Sequence, residues 1–160
     1  MIVAAAFVAA GGAWWHQRQQ GRRALAYWGA GTALLIRRAE HVTLLTLKPT
    51  QTTGEQPPVQ SDLLQGYAIV NRHEISQARG LIHARQALIS DPSYIWTSAP
   101  ATNPQWEFAL RFDDDEQDTT VAFDLTRGYL QAKGQSSTLK LGPTLMNGLS
   151  RFFAEQTPPR

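Results

Sequence analysis

The stretch WEFALRFDDDEQDTTVAFDL, residues 106–125, decides the fold. Trp106, Phe108, Leu110 and Phe112 alternate with Glu107, Ala109 and Arg111, and a period of two marks a half-buried strand. Val121, Phe123 and Leu125 repeat the alternation, with Ala122 and Asp124 pointing the other way. A turn at Gly128 leads into YLQAK (129–133) and TLKL (138–141). Together these segments predict an antiparallel meander with one apolar face. No residue in them names a reaction.

Toward the C-terminus, Gly142-Pro143 predicts a helix start, because proline at the first helical position loses no needed donor. Leu145, Met146, Leu149, Phe152 and Phe153 supply its apolar stripe. Toward the N-terminus, residues 92–105 are irregular but hold Tyr94, Ile95 and Trp96, which pack over a core edge or present a partner surface. Ile75, Ala78, Leu81, Ile82, Leu88 and Ile89 recur at helical spacing behind Ser76 as N-cap, and Asp91-Pro92 ends that helix. Leu63–Asn71 and His41–Lys48 read as strands, joined by the Pro/Gly-containing loop Thr50–Asp62. The expected fold is α+β: an antiparallel sheet of about five strands, with two amphipathic helices packed on one face.

Charge is split unevenly. Residues 1–40 carry Arg18, Arg22, Arg23, Arg37 and Arg38 against Glu40, whereas residues 41–160 carry ten basic and twelve acidic groups. The basic excess belongs to the N-terminal segment, so a nucleic-acid footprint on the domain is not expected. The chain has no cysteine, which removes disulfide, thiol and thiolate-metal chemistry.

Residues 1–38 predict a membrane anchor or export signal made of hydrophobic helical segments, and residues 39–160 the α+β domain. Ile2–Trp15 and Ala24–Ile36 are apolar runs of fourteen and thirteen residues, separated by a basic segment. Neither reaches the roughly 20 residues of a spanning helix unaided. Three readings compete. In a membrane hairpin, the basic loop is cytoplasmic and the domain lies in the periplasm or outside the cell. Trp14, Trp15, Tyr27 and Trp28 are then interfacial anchors, flanked by Arg22, Arg23, Arg37 and Arg38. In an export signal, Arg18–Arg23 is the basic region and Ala24–Ile36 the apolar one. In the third, the runs are Ala/Gly-rich core helices. Membrane attachment is the favoured expectation.

The order of features resembles a group of small exported bacterial proteins of unknown function. The likeness covers residues 40–155 and rests on the Gly-aromatic strand LQGYAIV (64–70), the amphipathic helix, Asn103-Pro104 ahead of a hairpin, and Phe123-Asp124 on the return strand. The resemblance implies the fold and export. In that group the stretch before Asn-Pro and the return strand tend to carry cysteines. Here Ala101, Thr102, Ala122 and Leu125 stand in those regions, so no thiol activity transfers.

Asp113, Asp114, Asp115, Glu116 and Asp118 form the densest charge cluster, and Asp113, Asp115 and Asp118 are the metal candidates. They lack the EF-hand glycine and closing glutamate, and a hairpin tip is the ordinary place for solvated acids. His16, His41, His73 and His83 have no zinc-like spacing. There is no G-x-S-x-G elbow and no P-loop. Glu107 and Asp124 are candidates to face each other across the hairpin, relieved by Arg111 and Lys133. The expectation is therefore a protein with no catalytic role and no cofactor. It is a membrane-tethered extracytoplasmic accessory or assembly subunit of a membrane complex, with partner contacts at Tyr94, Trp96, Asp114 and Glu116. The alternative is a small-molecule or lipid-binding module with a cavity between sheet and helices, lined by Trp106, Phe108, Phe123 and Phe153.

Overall fold

Apolar alternation builds the centre of the sheet as expected. The structure, a computed structural model, describes residues 22–50, 64 and 66–157. Among these, six strands form one antiparallel sheet: β1 (His41–Pro49), β2 (Tyr67–Glu74), β3 (Phe108–Asp113), β4 (Asp118–Asp124), β5 (Tyr129–Ala132) and β6 (Leu139–Lys140). The strand order is β2-β1-β3-β4-β5-β6. Four helices accompany it: α1 (Arg22–Trp28), α2 (Ala30–Arg38), α3 (Leu81–Leu88) and α4 (Pro143–Gln156). The α+β class and the antiparallel sheet hold, with six strands where about five were expected. Trp14, Trp15, the run Ile2–Trp15 and most of the loop Thr50–Asp62 lie outside the described residues.

One sheet face carries the main core. Val42, Leu44, Leu110, Phe112, Val121, Phe123 and Leu130 meet Leu81, Leu88, Leu145, Leu149 and Phe153 from α3 and α4. Full burial of such side chains contributes about 1.5–3 kcal/mol each. Phe153 sits centrally, with ring centroids 5.2 Å from Phe108 and 5.3 Å from Phe123. The space between sheet and helices that a ligand would need is occupied by these rings.

Trp106 is not among them. The regular strand starts only at Phe108, and Trp106 lies on the opposite face with Leu45, Leu47, Leu64, Ala109 and Ala122. Ala109 and Ala122 are direct cross-strand partners, and their small side chains leave room for the indole. Tyr67 fixes the approach: its hydroxyl donates to the Pro104 carbonyl (3.1 Å) and accepts from the Trp106 N–H (3.2 Å).

The largest departure concerns residues 22–38. The run Ala24–Ile36 forms α1 and α2, divided at Gly29, whose φ of 73° and ψ of 157° suit only glycine. Ala24, Trp28, Leu35 and Ile36 join the main core. Trp28 is 2% exposed, and its Nε1 donates to the Leu88 carbonyl at 2.8 Å. The Asp91 carboxylate accepts from the backbone of Ala24 (2.7 Å) and Arg23 (3.3 Å). Arg85 closes the far end of the helical pair by donating to the carbonyls of Ala39 (2.8 Å) and Arg37 (3.2 Å). The core-helix reading describes this segment. Trp28 is a core group and Tyr27 packs partly buried against that core, so residues 22–38 pack with the α+β domain. No described helix is long and apolar enough to cross a membrane. Arg22, Arg23, Arg37 and Arg38 remain exposed.

A second correction concerns Ser76. It caps no helix: its hydroxyl donates to Glu74 and accepts from the Val42 N–H at 2.7 Å, while strand β2 runs on to Glu74. Helix α3 begins only after Gly80, held at φ 93°, a left-handed value that interrupts any helix begun earlier.

Burial has a titration consequence. It pushes the Tyr27 hydroxyl up to about 12, opposed in part by the N–H of Ala132, and raises Tyr94 well above its ordinary value. A folded pKa above the unfolded one means stability is intact below pH 10 and declines as the pH rises toward about 12. For Tyr27 the loss across that window is about 2–3 kcal/mol. Urea unfolding at the two ends of the window, for wild type and Tyr27→Phe, checks this: the phenylalanine variant should show the shallower decline.

Candidate functional site

Three of the five acids at the hairpin tip have partners. Asp113 meets Arg111 at 2.7 Å and Asp118 meets Lys133 at 3.1 Å. Asp114 folds its carboxylate back onto the backbone N–H groups of Glu116 (3.1 Å) and Gln117 (2.8 Å), an Asx turn. Asp113, Asp115 and Asp118 do not converge, and among the described residues no three ligating side chains do. Glu116 is exposed and Asp114 half-buried.

Glu107 and Asp124 each have hydrogen-bond partners of their own. Glu107 takes a hydrogen bond from Thr126. Asp124 is fully buried and accepts from the backbone of Gln105 and Arg127, each at 2.9 Å. That carboxylate organises a loop and a turn. Arg111 and Lys133 serve Asp113 and Asp118 instead.

The aromatic segment is also structural. Tyr94 is 6% exposed and donates to the Leu88 carbonyl that Trp28 also uses. Trp96 is half-buried, packs edge-on to Tyr94 with centroids 5.3 Å apart, and donates to the Asp91 carbonyl at 2.9 Å. Tyr94 is therefore withdrawn from any partner. Ile95 between them is the exposed member.

What the structure does bring together is a groove between α3 and α4, about 730 Å³ in volume. Its apolar lining is Ala84, Ala87, Leu145, Leu149 and Phe152, and its polar lining includes Arg79, His83, Arg151 and Glu155. Arg151 is engaged with Glu155 at 3.0 Å, whereas Arg79 is exposed and has no ion-pair partner among the described residues. The groove exists because small residues face it. A side chain added at Gly148 would meet nothing within 4 Å, and one at Gly80 would only touch Phe152. Sequence reasoning named Leu145, Leu149 and Phe152 only as the packing stripe of a helix and His83 only as a lone histidine, and did not bring them together as a groove. The available signal was the small series Gly80, Ala84 and Ala87, at helical spacing opposite Gly148. It becomes a groove only once two helices about sixty residues apart in sequence are laid side by side.

Comparison with known protein families, with curated proteins and with solved structures finds no match for this chain.

Proposed function

We propose that this is a non-catalytic contact domain, tethered to a membrane through Ile2–Trp15, whose partner lays an apolar, acid-bearing segment into the α3–α4 groove. The supporting observation is the groove itself: an apolar lining beside Arg79, which has no ion-pair partner among the described residues, is the complement of an amphipathic segment carrying a carboxylate. Its volume also lies in the range of about 300–1,000 Å³ typical of ligand pockets. A small apolar carboxylate in the same groove is therefore the second reading, and it replaces a cavity between sheet and helices.

In this reading the tether is the single apolar run Ile2–Trp15. With Ala24–Ile36 in the core, Arg18 and then Arg22 and Arg23 at the start of α1 follow the remaining apolar run. The positive-inside rule then keeps the domain on the cytoplasmic side, opposite to the placement a hairpin implies. Protease digestion of intact and opened cells separates the two: a domain cut in intact cells is extracytoplasmic.

Gly148 provides the functional test. It sits exposed within α4 with ordinary helical backbone and open space around it. Gly148→Ala should stabilise the fold by about 0.5–1 kcal/mol through helix propensity. Gly148→Trp should leave the fold intact while filling the groove. Affinity purification from solubilised membranes should recover a stoichiometric partner with wild type and Gly148→Ala, and lose it with Gly148→Trp. Equal recovery by Gly148→Trp would refute the groove as the contact site.

A further inference from the structure

The outer side of α1 and α2 combines apolar exposure with uncompensated positive charge. Leu25 is 49% and Leu34 52% exposed. With Ala30, Ala33, Ile89 and Arg37 they line one shallow depression. Two exposed leucines alone are ordinary surface. Here each is accompanied by arginine: Arg22 precedes Leu25 by three residues, and Arg37 and Arg38 follow Leu34 by three and four. Those spacings place the groups on the same helix face. All three arginines are exposed, none has an ion-pair partner among the described residues, and residues 1–39 contain no Asp or Glu. This surface is continuous in sequence with the apolar run: only residues 16–21 separate Trp15 from α1, a reach of at most about 25 Å.

We infer that the outer face of α1–α2 rests on an anionic membrane surface. Leu25 and Leu34 enter the boundary between headgroups and acyl chains, and Arg22, Arg37 and Arg38 meet lipid phosphates. The inference rests on the tether reading above, because six residues then hold this face next to the bilayer. Lipid fits better than a second copy of the chain. A two-fold contact through the same patch would set its arginines against each other.

The full chain has no cysteine, so one introduced thiol carries one label. Leu34→Cys reports the proposed face, and Ile82→Cys, at a position 76% exposed on α3, reports another. Each labelled protein is reconstituted with vesicles of phosphatidylcholine and phosphatidylglycerol containing nitroxide lipid. The expected result is severalfold stronger quenching of the Leu34 label than of the Ile82 label. It should weaken in pure phosphatidylcholine and at high salt. Protein that floats with the vesicles while the Leu34 label stays unquenched overturns the face and leaves the tether standing. Protein that does not float overturns both. Equal quenching at the two positions, or pairing of Leu34 labels between copies, also overturns the face.

Discussion

Trp28→Ala should destabilise the domain by about 3–5 kcal/mol, the range for removing a large buried aromatic. The side chain is almost wholly inside, packs edge-on against Tyr27 with centroids 5.2 Å apart, and ties α1 to the end of α3 through the Leu88 carbonyl. At about 2–4 °C per kcal/mol for a domain of this size, the melting temperature falls by about 6–20 °C. Leu25→Ala, on the exposed side of the same helix, should stay within about 0.5 kcal/mol of wild type. A Trp28→Ala variant as stable as Leu25→Ala would show that residues 22–38 are not part of the fold. The practical corollary is that a truncated protein starting at residue 39, designed as if everything before it were a leader, bares the sheet face and should fail to fold cooperatively.

Asp124→Ala should cost about 3 kcal/mol or more. Its two carboxylate oxygens each take a backbone N–H, from Gln105 on the segment entering β3 and from Arg127 in the turn leaving β4. Hydrogen bonds to a charged acceptor are worth about 1.5–3 kcal/mol each, and removing the acceptor strands two donors. Asp124→Asn keeps one acceptor oxygen and should lose about half as much. Hydrogen exchange gives a residue-level check: the amides of Gln105 and Arg127 should lose protection together in Asp124→Ala, and only one of them in Asp124→Asn.

Much of the fold is legible from local pattern. The β3–β4 hairpin follows from strict alternation with a polar tip. Helix α4 follows from Gly142-Pro143 ahead of a clean apolar stripe. Where reading fails, the deciding term is not local. Ser76 is a good N-cap residue, yet Val42 on β1 recruits its hydroxyl and Gly80 sets the true helix start. Trp106 keeps the alternation in sequence but leaves the strand before its side chain can obey it. Apolar run length cannot by itself distinguish a core helix from a membrane helix. Gly29 within Ala24–Ile36 was the local hint that two short helices, not one span, were being built. The groove between α3 and α4 was illegible because it is an absence of side-chain volume, created jointly by distant segments.

The docking of α1 also sets an order of events during synthesis. Tyr27 is held by Ser137 and Ala132, 110 and 105 residues further along the chain. At about 5–20 residues per second, its binding site is complete only some 5–20 s after Tyr27 itself is made. For that interval Ala24–Ile36 is an unhoused apolar segment on the nascent chain, displaying the apolar length and flanking arginines that suggest a membrane leader. Its fate is thus a race, in which completion of β5 and the following turn withdraws a segment that a chaperone or a translocation channel could otherwise hold.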